Sequence, residues 1–360
     1  MINSTEDIKN FIKDKKFKKI FVLCGKKSFI TSGAEFFFKK LLENKEIYLF
    51  YKISKLPVLN ELIKIINNIR SFKPDLILAV GGGAIIDYAK IANVVDQKDN
   101  LKDLIVNYSY PFKNRYTKLA VIPTTAGSGA EVTSNAVIYV DDIKYSFESE
   151  LLIPDNFFLI PEFLISAPNK IKASAGFDAI AQALESLIAK KSTQQSVDYA
   201  SRSLKISLNS YISFLNDANL KNATEMSIAS NLAGKAINIS KTTAPHAFSY
   251  YFNRYNIPHG IAVSIGCDMA NYCAYLLGIS TETIWKSMSP TFKANYQGYE
   301  TVDIPFDSFL SALGKDKKNV GSDSFSLILP DKEANMFKDS YSNSPILRGY
   351  FQEFLTGLKT

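Results

Sequence analysis

Short apolar runs alternate with amphipathic stretches through the first half of the chain. "KIFVLCG" (19–25) is a continuous apolar run closed by glycine and predicts a buried strand; "FFFKKLLEN" (36–44) has helical spacing. "IYLFYKI" (47–53) is again strand-like, and "LNELIKIINNIRSF" (59–72) places its apolar residues on one helical face. "DLILAVGGG" (75–83) predicts a strand running into glycines, followed by the helix "AIIDYAKIANVV" (84–95). Further strands are expected at 118–124, 135–140 and 156–160. This rhythm predicts a parallel sheet covered by helices, an α/β layout of the nucleotide-binding type.

Beyond Pro161 and Pro168 the texture changes to long helical runs, "GFDAIAQALESLIAKK", "SVDYASRSLKISLNSYISFL" and "ATEMSIASNLAGKAINIS". A boundary between 165 and 172 divides the chain into an α/β domain, 1–168, and an all-helical domain, 169–360. The last thirty residues predict a polar segment and a terminal helix.

Composition narrows the classes of function. The chain has 360 residues, 46% hydrophobic and 21% charged, with 42 Lys and Arg against 35 Asp and Glu. The excess of +7 is spread along the chain with no compact basic stripe interleaved with aromatics, so an anionic small ligand fits better than nucleic acid. Cys24, Cys267 and Cys273 show no CxxC spacing and read as reduced thiols of a cytoplasmic protein. No apolar leader and no run of about 18 apolar residues is present, so no membrane span is expected.

Four stretches carry chemistry. In "GGGAIIDYAK" (81–90), glycines at the end of a strand allow close approach of a pyrophosphate to the N–H groups opening a helix. The spacing is not GxGxxG, so the usual dinucleotide fingerprint is absent. "PTTAGSGAEVT" (123–133) follows another strand and offers hydroxyl and backbone donors. In "GFDAIAQALES" (176–186), Asp178 and Gln182 stand four apart on one helical face. An Asp near a helix start is commonly a cap, but here it is also the third partner for two histidines. His246 and His259, the only histidines in the chain, both fall within "TTAPHAFSYYFNRYNIPHG" (242–260). One Asp and two His form a donor set for a divalent metal with an open position, and Gln182 is a fourth ligand or a neighbour that supports one.

In this order and spacing the four stretches resemble the iron-containing (group III) alcohol dehydrogenases, whose fold is related to dehydroquinate synthase and glycerol dehydrogenase. The resemblance covers roughly residues 18–275. It implies a dinucleotide-binding domain followed by a helical metal-binding domain, with NAD(P) across Gly81, Gly82, Gly83, Asp87, Thr124, Thr125 and Ser128. It implies a divalent metal, iron or zinc, on Asp178, His246 and His259, which are then the catalytic residues, with Gln182 where the family usually has His. A second family histidine, four residues after the first, is replaced by Tyr250. An Asp common after the first strand in NAD-preferring members is absent; Gly25, Lys26, Lys27 and Ser28 stand there instead. The lysines favour NADPH, or use of both NADPH and NADH. The finer resemblance is to phosphonoacetaldehyde reductases, which implies a small anionic aldehyde or alcohol as substrate, with Lys315, Lys317 and Lys318 as phosphonate contacts. A homodimer is also implied. Two other readings stay open: a dehydroquinate synthase-like cyclase using NAD and metal, and a cofactor-binding relative without catalysis.

Overall fold

The computed structural model describes residues 2–14, 17–95, 100–109, 112, 114–141, 143–189, 191–242, 246, 249, 252, 255, 257–296, 298–299, 304–314, 324–333 and 336–357. Helix α1 (Thr5–Asp14) leads into β1 (Lys19–Gly25), α2 (Lys26–Thr31), α3 (Ala34–Leu41), β2 (Glu46–Lys52) and α4 (Leu59–Phe72). Then come β3 (Leu76–Gly81), α5 (Gly83–Val94), α6 (Leu101–Val106), β4 (Lys118–Pro123), β5 (Asn135–Val140), β6 (Ile143–Glu148) and β7 (Asn156–Phe157). The helical half holds α7 (Glu162–Ile165), α8 (Asn169–Ile188), α9 (Gln194–Asn216), α10 (Leu220–Ser240), α11 (His259–Leu276), α12 (Glu282–Tyr296) and α13 (Phe306–Gly314). A hairpin, β8 (Ser324–Pro330) and β9 (Met336–Ser342), precedes the terminal helix α14 (Pro345–Gly357), so the second half is helical apart from one pair of strands.

Five strands form one parallel sheet in the order β2-β1-β3-β4-β7. Alternation along each strand sorts its side chains between two cores. From β1 and β3, Phe21, Leu23, Ile77 and Ala79 pack beneath α4 and α5. Their neighbours Ile20, Val22, Cys24, Leu76, Leu78 and Val80 face α1, α2 and α3. Helices on both faces leave no strand surface for water, which is why these strands read as unbroken apolar runs. The order reverses between β1 and β3, so their carboxyl ends, Gly25 and Gly81, flank the crevice where α/β sheets bind ligands.

Two sequence expectations change. The run 135–140 is a strand, but it pairs antiparallel with β6 in a separate two-stranded sheet. Buried groups on α5 hold it there: the fully buried Lys90 donates to Thr133 Oγ1 (3.1 Å) and to the Asn135 carbonyl (2.9 Å). Asp87 Oδ2 accepts from the Val137 N–H (3.2 Å). The expected strand at 156–160 shortens to Asn156–Phe157.

In the helical half, α9 and α10 start with capping boxes at Thr193 and Asn219, and small residues such as Ala179, Ala183, Ala233 and Ala236 let α8, α9 and α10 pack closely. Among the described residues no helix is long and apolar enough to cross a membrane.

Burial drives the Lys90 ammonium down to about 8, against the pull of Asp87 and Glu131. A depressed lysine releases its proton in the folded state while the unfolded chain still holds one, so stability rises as pH passes upward through about 8. Between pH 7.5 and 9, urea unfolding should therefore show the native chain gaining about 1 kcal/mol relative to Lys90→Met. Parallel pH profiles of the two proteins would rule this account out.

Candidate metal and cofactor site

Asp178 lies in the middle of α8, not at its start, because the helix begins at Asn169 behind Pro168. It is therefore no cap: its carboxylate sits on a buried face, 4% exposed, and needs partners there. His246 and His259 supply them. His246 Nε2 lies 3.0 Å and His259 Nε2 3.6 Å from Asp178 Oδ1. The ring centroids are 5.3 Å apart, and one donor atom from each of the three residues falls within 4.8 Å of the others. His246 is buried, whereas His259 keeps 34% of its side chain open, which gives the cluster one accessible side.

Two groups behind the cluster hold the rings. His246 Nδ1 contacts the buried carboxylate of Glu185, two turns along α8 from Asp178. His259 Nδ1 lies 3.1 Å from the hydroxyl of Ser249, whose other contact is the His246 carbonyl at 2.7 Å. Burial depresses His246, but Glu185 and Asp178 on either side overcome it and raise the imidazole to about 9. His259 moves the opposite way: burial lowers it, Lys144 and His246 add to the shift, and Asp178 only partly opposes it. Burial raises Asp178, yet His259, His246 and the amide of Gln182 outweigh it and hold the carboxyl below its usual range. Gln182 is buried, and its Oε1 has no hydrogen-bond partner among the described residues.

Close backbone contacts set this geometry. Gly260, directly after His259, lies so near α8 that a Cβ would sit 1.8 Å from the Ser174 carbonyl oxygen, and its N–H donates to Ser174 Oγ at 3.0 Å. One residue on, a Cβ at Gly127 would meet the Ala175 carbonyl at 2.7 Å. The loop 124–129 and the start of α11 are thus both seated on the turn of α8 that leads to Asp178.

The same loop meets the glycine turn. A side chain at Gly82 would touch Thr125 Oγ1 (3.2 Å) and one at Gly83 would meet Ser128 Oγ (2.7 Å), while the Thr124 N–H donates to the Gly81 carbonyl (3.1 Å). Gly25, Lys26 and Ser28 follow the adjacent strand β1; Ser28 Oγ donates to the Gly25 carbonyl at 3.1 Å, and Lys26 and Lys27 are exposed. Every residue expected at the dinucleotide thus lies along one edge of the sheet, except that Asp87 faces β5. Burial pushes Asp87 up to about 6, with Lys90 and Lys144 opposing. Thr124 and Thr125 of this edge and Leu164, Ile171, Lys172 and Phe214 of the helical half, among others, line a narrow pocket. Thr124 Oγ1, buried beside it, has no partner among the described residues.

Four participants were not anticipated. Glu185 is i+7 from Asp178 and Ser249 is i+3 from His246, so helical spacing was a usable signal for both. Lys144 on β6 bears electrostatically on both His259 and Asp87, and the buried Lys172 holds its ammonium 5.4 Å over the Phe214 ring. No local motif marks either lysine. Lys315, Lys317, Lys318 and Tyr250 lie outside the described residues.

Comparison with known proteins places the chain in one family. Residues 2–161 match the family model for iron-containing alcohol dehydrogenase, and residues 172–272 match that for the C-terminal part of the Fe-containing alcohol dehydrogenase family. The 4-hydroxybutyrate dehydrogenase of Clostridium kluyveri is 30% identical over 277 residues, 73% of this chain and 72% of the relative. The 1-propanol dehydrogenase PduQ of Citrobacter freundii is 30% identical over 223 residues, 61% of this chain but only 57% of the relative's length. Among solved structures, the sulfoacetaldehyde reductase from Bifidobacterium kashiwanohense in complex with NAD+ superposes with a TM-score of 0.79 at 21% identity, covering 99% of this chain and 96% of that one.

Gly260→Ala should push α11 away from α8 and carry His259 with it. The expected cost is about 1–3 kcal/mol in urea unfolding, together with weaker zinc binding by chelator competition. Unchanged zinc affinity would show that the glycine contact does not position His259.

Proposed function

The chain belongs to the iron-containing alcohol dehydrogenases, and from that membership we propose that it is a metal-dependent, NAD(P)H-linked reductase of small anionic aldehydes, phosphonoacetaldehyde being the substrate best matched. The observation that carries this reading is the convergence of Asp178, His246 and His259 on the turn of α8 against which the threonine loop also packs.

The donor chemistry suits a divalent cation: one carboxylate and two imidazoles, with the unpartnered Gln182 Oε1 as the further oxygen within the same buried face. Asp178, His246 and His259 would hold the ion, and Gln182 would supply its oxygen or keep Asp178 in place through its amide. When bound, such a cation polarises a carbonyl oxygen while a nicotinamide supplies hydride. The unpartnered Thr124 hydroxyl and the close-approach positions Gly82 and Gly83 fit a dinucleotide, whose pyrophosphate would face the α5 N-terminus.

The remaining groups prepare the site. His259, its proton affinity reduced by burial and by Lys144, offers a neutral nitrogen on the open side of the cluster. Lys172 lines the pocket beside the threonine loop and Lys144 acts on His259 and Asp87, and this positive charge favours an anionic substrate or cofactor over a neutral one. The relatives named for 4-hydroxybutyrate and sulfoacetaldehyde act on small molecules with a terminal anion, which supports the same substrate class. No carboxylate stands in the turn after β1, where Lys26 and Lys27 open α2, so a 2′-phosphate meets attraction there.

The deciding measurement is NADPH oxidation by zinc- or iron-loaded protein with phosphonoacetaldehyde and, separately, propanal. A charge-assisted contact is worth about 1.5–3 kcal/mol, so kcat/KM should favour the phosphonate by at least about tenfold. Equal values would discard the anionic substrate, and no oxidation of NADPH with either would discard the reductase.

Two variants test the parts. His259→Ala should lose bound metal and turnover with an unchanged far-UV spectrum; full activity would remove the metal assignment. Lys26→Glu with Lys27→Glu should raise KM for NADPH far more than for NADH, and equal effects would reject the 2′-phosphate contact.

A further inference from the structure

We propose that Ser249, together with Glu185, fixes the tautomers of the two histidines, so that one serine hydroxyl orients both imidazoles toward the ion. This rests on the reading of Asp178, His246 and His259 as metal ligands. A metal-binding imidazole must present an unprotonated nitrogen, and which nitrogen is free is set by the hydrogen bond made at the other.

At His246 both ring nitrogens face carboxylates. A carboxylate accepts only, so without an ion both ring N–H groups donate, Nδ1 to Glu185 and Nε2 to Asp178, 3.0 Å away; an ion bound at Asp178 would replace the proton on Nε2, and Glu185 would keep the one on Nδ1. His259 needs one more step. The Ser249 hydroxyl has a single proton, and the carbonyl of His246, 2.7 Å from it, can only accept. That proton is therefore committed to the carbonyl, and toward His259 Nδ1, 3.1 Å away, the serine oxygen acts as acceptor. His259 consequently carries its proton on Nδ1 and turns the Nε2 lone pair toward Asp178 Oδ1.

Both rings then offer Nε2 to the same point, with both Nδ1–H groups held from behind. Ser249 is fully buried, so water does not compete for its oxygen, and its bond to the carbonyl three residues earlier ties the backbone at the first histidine to the ring of the second. Ser249 and Glu185 are positioning residues: they act on the ion through the imidazoles.

The chain contains only two histidines, so [15N]histidine labelling yields two ring systems and no overlap. In the zinc-loaded protein, long-range proton–nitrogen spectra should show both rings protonated at Nδ1 and zinc-bound at Nε2. Ser249→Ala should weaken zinc binding about 10- to 100-fold in chelator competition and lower the Tm of the metal-free protein, since His259 Nδ1–H loses its acceptor, and Ser249→Thr should restore zinc binding. Glu185→Gln, which keeps an acceptor for Nδ1–H, should lose less than Glu185→Ala. Zinc bound through Nδ1 of His259 would overturn the proposal from the native protein alone. So would native zinc affinity in Ser249→Ala. A native protein that takes up no zinc would remove the metal reading itself, and this inference with it.

Discussion

The site depends on how closely backbone can approach one turn of α8. At Ser174 and Ala175 two chain segments lie against the helix with no room for a β-carbon on either, Gly260 from α11 and Gly127 from the loop after β4. Folded interiors pack too tightly for a side chain to be inserted there without moving a whole element. One contact sets His259 beside Asp178; the other sets the threonine loop beside the same helix. The threonine loop and the Asp178–His246–His259 cluster thus share a single steric reference.

Charge provides the second constraint. Asp178 and Glu185 are buried carboxylates on one face of α8, a costly arrangement without compensation. In the structure His246, between the two, supplies it, and its raised proton affinity measures the strength of that negative surround. Two buried carboxylates around one imidazole make this part of the cluster favourable to positive charge. Beyond the two carboxylates the sign reverses: Lys144 lowers the proton affinity of His259, and Lys172 lines the pocket beside the threonine loop.

The fold beneath this site is an ordinary application of sheet physics. Alternating side chains of β1 and β3 feed two separate cores, and the reversal of strand order between them leaves a gap lined by glycine at the carboxyl edge. The β5–β6 hairpin departs from the parallel pattern because α5 offers a buried lysine and a carboxylate that hold its backbone. Periodicity reports that residues 135–140 are extended; it carries no information about which strand they join.

Local pattern determined much about this protein. Apolar runs ending in glycine marked β1 and β3, helical spacing marked α4 and α8–α10, and the two lone histidines, both within 242–260, pointed to the cluster they form with Asp178. That Asp178 lies mid-helix was not legible, since nothing short-range showed that α8 begins at Asn169. Lys144 and Lys172 were invisible: one sits on a hairpin strand and acts on His259, the other sits early in a helix and lines the pocket beside the threonine loop, and only tertiary packing makes either contact. Glu185 and Ser249 stood at helical spacing from Asp178 and His246, yet their work depends on ring nitrogens reached across 61 and 10 residues of chain. Residue types and spacing decided which groups this chain possesses. The tertiary structure decided which of them meet, because hydrogen bonds and Coulomb forces act through distance in space and take no account of separation along the sequence.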